Sequence, residues 1–168
     1  IYVDGTLAVE NFTYRSSTGL VDLPLNTVVG IAPTGGDIIA EFPFTLEQSE
    51  DYVVVASGIL NDTATPFTLL ASTLDQEAED DQSFALNILH GVTDAPAVDI
   101  YADGELVVEN LCYGEFTGYL QVPVGDYTID ITAHGAEEAV ASFSAPLAGL
   151  GGGSGVLYAS GFLAGADT

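Results

Sequence analysis

Ile1-Tyr2-Val3-Asp4-Gly5-Thr6-Leu7-Ala8-Val9-Glu10-Asn11 returns further along the chain as Ile100-Tyr101-Ala102-Asp103-Gly104-Glu105-Leu106-Val107-Val108-Glu109-Asn110. An Asp-Gly pair flanked by apolar residues is the strongest short-range signal for a β-hairpin, and here it occurs twice in one setting. The correspondence runs on through Tyr14 and Tyr113, Thr18-Gly19 and Thr117-Gly118, and Pro24 and Pro123. Later, Val55-Ala56-Ser57-Gly58 answers Tyr158-Ala159-Ser160-Gly161. Collinear matches of this kind mark two copies of one module.

Each copy reads as a series of short strands. After Val124-Gly125 the chain alternates, with Tyr127, Ile129 and Ile131 facing one way and Asp126, Thr128, Asp130 and Thr132 the other. That is the pattern of a half-buried antiparallel strand. In the first copy Val29 and Ile31 take the inward positions only after a one-residue shift. No segment shows a capped 3.6-residue apolar period, and turn signals recur roughly every 8–12 residues, as in a sandwich of about seven strands. The expected fold is therefore all-β: two tandem Ig-like antiparallel β-sandwich modules, at residues 1–74 and 83–168, joined by an acidic linker at 75–82.

The two copies are unequal. Before Ile100 stand Phe84-Ala85-Leu86-Asn87-Ile88-Leu89-His90 and then Asp94-Ala95-Pro96-Ala97-Val98-Asp99, which have no counterpart before Ile1. After Leu60 comes Pro66-Phe67-Thr68-Leu69-Leu70, with no counterpart after Leu163. The first module thus lacks its opening strand and the second its closing strand. Either the chain is a piece of a longer protein, or neighbouring subunits donate strands head to tail. Open edges must be covered, or they aggregate.

Composition sets the setting. Apolar residues make up 48% of the chain, enough for a sizeable core. No apolar run approaches the roughly 20 residues of a membrane span, and residues 52–60 fit a strand. Against 25 acidic residues there is one basic residue, Arg15, for a formal charge of −24. Salt bridges cannot hold such a fold, and the self-repulsion calls for salt or bound cations. Nucleic-acid binding, which rests on Lys and Arg at phosphates, is excluded as a class. The balance fits a high-salt habitat, a calcium-rich exterior or a crowded surface layer. A single cysteine, Cys112, precludes an internal disulfide, which is compatible with export from a prokaryote.

Residues 90–104, His90-Gly91-Val92-Thr93-Asp94-Ala95-Pro96-Ala97-Val98-Asp99-Ile100-Tyr101-Ala102-Asp103-Gly104, resemble the signature of a prokaryotic family, domain of unknown function 4397, whose members read much like HASPDAPAVDVYVDG. Tyr119-Leu120-Gln121-Val122-Pro123-Val124-Gly125-Asp126-Tyr127-Thr128 resembles the same family's Y-L-x-V-P-A-G-x-Y-x stretch. The resemblance implies a β-sandwich of exported bacterial or archaeal proteins, often in tandem, without established catalysis. The first copy departs from it by lacking the His-to-Asp segment.

Few groups could carry chemistry. A Cys–His nucleophile would need Cys112 beside His90 or His134, but Cys112 follows a strand end and reads as structural. Gly151-Gly152-Gly153-Ser154-Gly155 lacks the Lys of a phosphate loop and reads as a hairpin connection. Asn11-Phe12-Thr13 and Asn61-Asp62-Thr63 fit the glycosylation sequon at chance frequency. Calcium is the one ligand with support, since it takes 6–8 oxygen ligands. The candidate ligands are Asp75, Glu77, Glu79, Asp80 and Asp81 of the linker, with Asp94 and Asp99 about a proline turn. A solvated acidic linker is the plainer alternative. Tyr2 and Tyr101, predicted to point away from the core, are interface candidates.

The expectation is a non-enzymatic structural or adhesive protein of the cell surface or exterior, self-associating or binding other surface proteins, without membrane insertion. The alternative is a calcium- or glycan-binding module of a larger exported protein.

Overall fold

Both Asp-Gly pairs adopt left-handed backbone, Asp4 and Gly5 at φ 47° and 76° and Asp103 and Gly104 at 48° and 83°, as a two-residue type I′ hairpin requires. In this computed structural model, which describes residues 1–75 and 77–164, the chain is all-β. Two compact units divide it, Ile1–Glu50 and Asp51–Thr168. Residues 51–74 thus belong to the first copy by sequence and to the second unit by packing.

In the first unit, β1 (Tyr2–Val3), β2 (Thr6–Leu7), β3 (Asn26–Ile31) and β4 (Ala40–Thr45) form one antiparallel sheet in the order β2-β1-β3-β4. Val3 lies opposite Val29, and Val29 opposite Phe42. The Asp4 carboxylate accepts from Val28 N–H at 2.8 Å and from Thr27 Oγ1 at 3.2 Å.

The second unit opens with β5 (Tyr52–Ser57) and β6 (Thr68–Thr73), a two-stranded antiparallel ribbon. Seven strands follow: β7 (Ser83–Val92), β8 (Val98–Ala102), β9 (Glu105–Leu111), β10 (Phe116–Pro123), β11 (Asp126–Ala133), β12 (Ala139–Pro146) and β13 (Ser154–Gly161). They make two sheets, ordered β10-β7-β13 and β12-β11-β8-β9, which enclose a core of Phe84, Leu86, Ile88, Val98, Ile100, Leu111, Ala145 and Leu147. Tyr127, Ile129 and Ile131 pack against this core from β11, the inward set that the alternation predicts. The order β9-β8-β11-β12 corresponds strand for strand to β2-β1-β3-β4. Asp103 accepts from Thr128 N–H at 2.8 Å, so Val28 and Thr128 are equivalent, and the one-residue shift is visible in the ladder.

The strand that organises the second unit is β7. It pairs antiparallel with β10 and parallel with β13. Its even-numbered residues 84, 86 and 88 fill the core, and Ala85, Asn87 and Leu89 on its other face are wholly buried too. The β5–β6 ribbon covers that face: Asn87 Nδ2 donates to Ser72 Oγ at 3.1 Å, and Ser57 Oγ lies 3.0 Å from Tyr113 Oη. Burial on both faces explains why residues 84–89 read as a nearly continuous apolar run. Gly151-Gly152-Gly153 lie between β12 and β13, which belong to different sheets. They form a crossover, not a hairpin; a side chain at Gly151 would strike the Asp81 carbonyl, and one at Gly155, within β13, would meet Phe84 Cζ at 2.9 Å.

Candidate functional site

The signature segment runs from the end of β7 through a turn into β8, and His90, Asp94 and Asp99 within it bond to other parts of the domain. His90 is buried at the end of β7. Val92 N–H donates to its Nδ1 at 3.3 Å, and its Nε2 lies 3.0 Å from the Pro96 carbonyl. An imidazole that accepts at Nδ1 carries its proton on Nε2 and donates there, so both ring nitrogens are occupied in clamping the turn. The ring stands edge-on to Tyr113 at 6.3 Å. Gly91 is required for close approach, because the Tyr158 ring lies where a Cβ would be.

Asp94 accepts from the N–H groups of Leu163 and Ala164 at 2.7 and 2.9 Å, and those two donors, Ala164 foremost, hold its carboxyl below the ordinary range. Asp99 is 5% exposed. It accepts from Asn110 N–H at 2.7 Å, Gly135 N–H at 3.0 Å and His134 Nδ1 at 2.8 Å. The Gly135 and Asn110 amides, then His134, lower its pKa to about 2. The carboxylate thereby pins the β11–β12 turn onto β8 and the end of β9.

Beside this clamp, on the face of the four-stranded sheet away from the core, is a shallow pocket of about 340 Å³ lined by Tyr101, Gly104, Asp130, Thr132, Glu137 and Ala139. The ladder assembles it: Tyr101 pairs with Asp130, and Thr132 pairs with Asp99 on one side and Ala139 on the other. Thr132 is 4% exposed and its hydroxyl is buried without a hydrogen-bond partner, a deficit of about 1–3 kcal/mol. Two carboxylates, a hydroxyl and an aromatic ring can hold a polar ligand by hydrogen bonds and stacking. The lining contains no nucleophile of the Ser/Cys–His kind.

Residues 84–155 match a family model described as a domain of unknown function, DUF4397. The second copy is a DUF4397 domain. The match extends from the start of β7 to the start of β13, so it takes in both sheets of the sandwich. Comparison with curated proteins and with solved structures gives no match.

The acidic linker is tied to the DUF4397 domain through its backbone and turn caps. Asp75 accepts from Ser154 Oγ through its carbonyl, Glu77 bridges to Gly153, and Glu79 N–H donates to Gln121 Oε1 at 3.2 Å. Asp80 accepts from Gln82 N–H and Ser83 Oγ, both at 2.9 Å, and the Asp81 carbonyl packs on Gly151. Asp75, Glu77, Glu79, Asp80 and Asp81 precede the ten-residue β7, and Asp94 and Asp99 follow it. A strand of that length spans about 30 Å, so the two sets of carboxylates lie at opposite ends and could not share an ion. Among the described residues no three His, Cys, Asp or Glu side chains gather as a metal site would need.

Tyr101 of the DUF4397 domain faces away from the core, in the pocket, and Tyr2 pairs with Leu7 and Gly30 in the first unit. Cys112 is exposed, and desolvation, then the Glu115 carboxylate, push its thiol up, away from thiolate character. Sequence reading placed Asp130 and Thr132 on the outward face without marking a site. It had no signal for the Asp99–His134 pair, whose members stand 35 residues apart.

Proposed function

We propose that the chain is a non-enzymatic structural or adhesive module of an exported protein at the surface of a bacterium or archaeon, associating with like modules through strand complementation. The observation that carries this reading is the use made of the signature. His90, Asp94 and Asp99, three of its polar side chains, are occupied in bonds within the domain, as fits a segment selected for a rigid frame. The formal charge of −24 supports a salt-rich or calcium-rich exterior. Electron microscopy of the protein from its source, with and without a calcium chelator, tests the reading. Regular filaments or layers support it, dissolution on chelation adds calcium to the joints, and isolated particles in both conditions contradict assembly.

A second reading, a glycan-binding module, is favoured by the pocket of Tyr101, Asp130, Thr132 and Glu137 with its unpartnered hydroxyl. Chemical-shift changes confined to that face on titration with neutral oligosaccharides, lost in Thr132→Val, would support it. No shift at millimolar sugar would reject it.

A further inference from the structure

The outward pocket of the second copy has an equivalent place in the first, and the two are finished differently. Asp130 lies opposite Tyr101 in the ladder, and Gly30 lies opposite Tyr2. By the same spacing Ala32 stands where Thr132 does. The first copy fills the place with its own chain: Ile38 Cδ1 is 3.0 Å and Tyr2 Cβ 3.4 Å from where a Cβ on Gly30 would be. In the second copy the place stays open, lined by Asp130, Thr132 and Glu137 beside Tyr101.

These groups sit on a firm frame. Asp130 and Thr132 are two residues apart on β11, so they share a face at a spacing of about 7 Å. Glu137 comes from the turn that Asp99 pins through Gly135. Thr132 is 4% exposed, and its hydroxyl has no hydrogen-bond partner. Residues 51–168 contain neither Lys nor Arg. Of the two histidines there, His90 is clamped in its own turn and His134 is held by Asp99. The unit therefore has no cationic side chain to set against Asp130 and Glu137.

We propose that this pocket binds a primary ammonium group carried on a slender alkyl stem. The group has three N–H donors, and the pocket offers three acceptors, the two carboxylates and Thr132 Oγ1. The Tyr101 ring supplies a surface for the stem and a cation–π attraction for the charge. Calcium fits less well, since it takes 6–8 oxygen ligands and no three acidic side chains gather among the described residues. An ammonium ligand lies outside both readings above: it needs no assembly, and it carries charge where a neutral sugar carries none.

Titration of the full chain with n-butylammonium chloride at fixed ionic strength, followed by NMR, tests this. Saturable amide shifts are expected at Tyr101, Asp130, Thr132 and Glu137. Affinity should fall at least fivefold in Asp130→Asn and in Thr132→Val, with the fold checked by circular dichroism. Glu137→Gln, in an exposed turn, gives the same measure should Asp130→Asn fail to fold. Glu41→Gln, which removes an exposed carboxylate from the first copy's sheet, should change nothing. Absence of saturable shifts, or affinity untouched by the pocket variants, overturns the proposal. Equal weakening by Glu41→Gln also overturns it, because the attraction would then be diffuse. So do equal shifts from n-butanol, or tighter binding of calcium at the same residues. Shifts from neutral oligosaccharides alone overturn it and leave the glycan reading in place. Binding of Nα-acetyl-lysine amide as strong as that of n-butylammonium supports the proposal and assigns the source to a partner protein's lysine. Binding of spermidine while the blocked lysine fails supports it and assigns the source to a free polyamine.

Discussion

Phe12 and Leu111 occupy the same place in two copies of one repeat, yet Leu111 is buried in a sandwich core and Phe12 lies 42% exposed. Locally the copies agree closely. Asp4 and Asp103 share a left-handed φ, as do Asn11 and Asn110 at 51° and 56°, and both aspartates accept from the equivalent amide at 2.8 Å. The divergence lies in the layering: within residues 1–50 the sheet β2-β1-β3-β4 has no second sheet, whereas the equivalent β9-β8-β11-β12 encloses a core with β10-β7-β13. A sheet buries its apolar face only against a second layer, and β7 is the strand on which that layer is built. Hairpin and strand formation follow from local sequence, and layering follows from one central strand.

Substitutions can break this comparison, and the largest effects belong to β7 and what it buries. Leu111→Ala should cost about 2–5 kcal/mol by chemical denaturation, whereas Phe12→Ala should stay within about 0.5 kcal/mol. Equal losses would mean that the first unit has a core of its own. Asn87→Ala removes the wholly buried amide that donates to Ser72, and a loss of about 2 kcal/mol is expected from the unsatisfied groups left behind. A neutral result would detach the β5–β6 ribbon from this account.

Acid sharpens the comparison, because Asp99 holds a turn of the second unit in place. Its pKa is lowered from 3.8 to about 2 in the folded state. The stabilisation is therefore full above pH 4 and disappears as the pH falls through 2. Asp99→Asn should lower the melting temperature at pH 6, and the gap from the parent protein should close between pH 4 and 2. A constant gap would mean that the carboxylate's charge is not what holds the turn.

The smallest effects should fall equally on the two hairpins. Asp4→Ala and Asp103→Ala each remove a bond to the opposite strand and place alanine at positive φ, for about 1–2 kcal/mol apiece. A large inequality would show that the hairpins feel the missing layer after all.

How far the sequence could be read follows the same division. The Asp-Gly turns, the inward set Tyr127, Ile129 and Ile131 and the strand within residues 52–60 were legible because each is fixed by neighbours in the chain. The parallel pairing of β13 with β7 was not, since parallel partners leave no turn signal between them. Nor was the cover of β5 and β6 over Ala85, Asn87 and Leu89, because an apolar run says that a strand is buried without saying by what. The pocket was hidden for a related reason. Thr132 lies in a polar alternation, and only the ladder to Asp99 and Ala139 reveals its hydroxyl to be buried and unpartnered.

Native-state hydrogen exchange at residue resolution tests the central claim most directly. Amides of β7, β8 and β11 should exchange only through global opening of the second unit, and those of β1 and β3 through openings of much lower free energy. Protection at Val28 and Val29 equal to that at Thr128 and Ile129 would contradict it, since the first sheet would then be as firmly layered as the second.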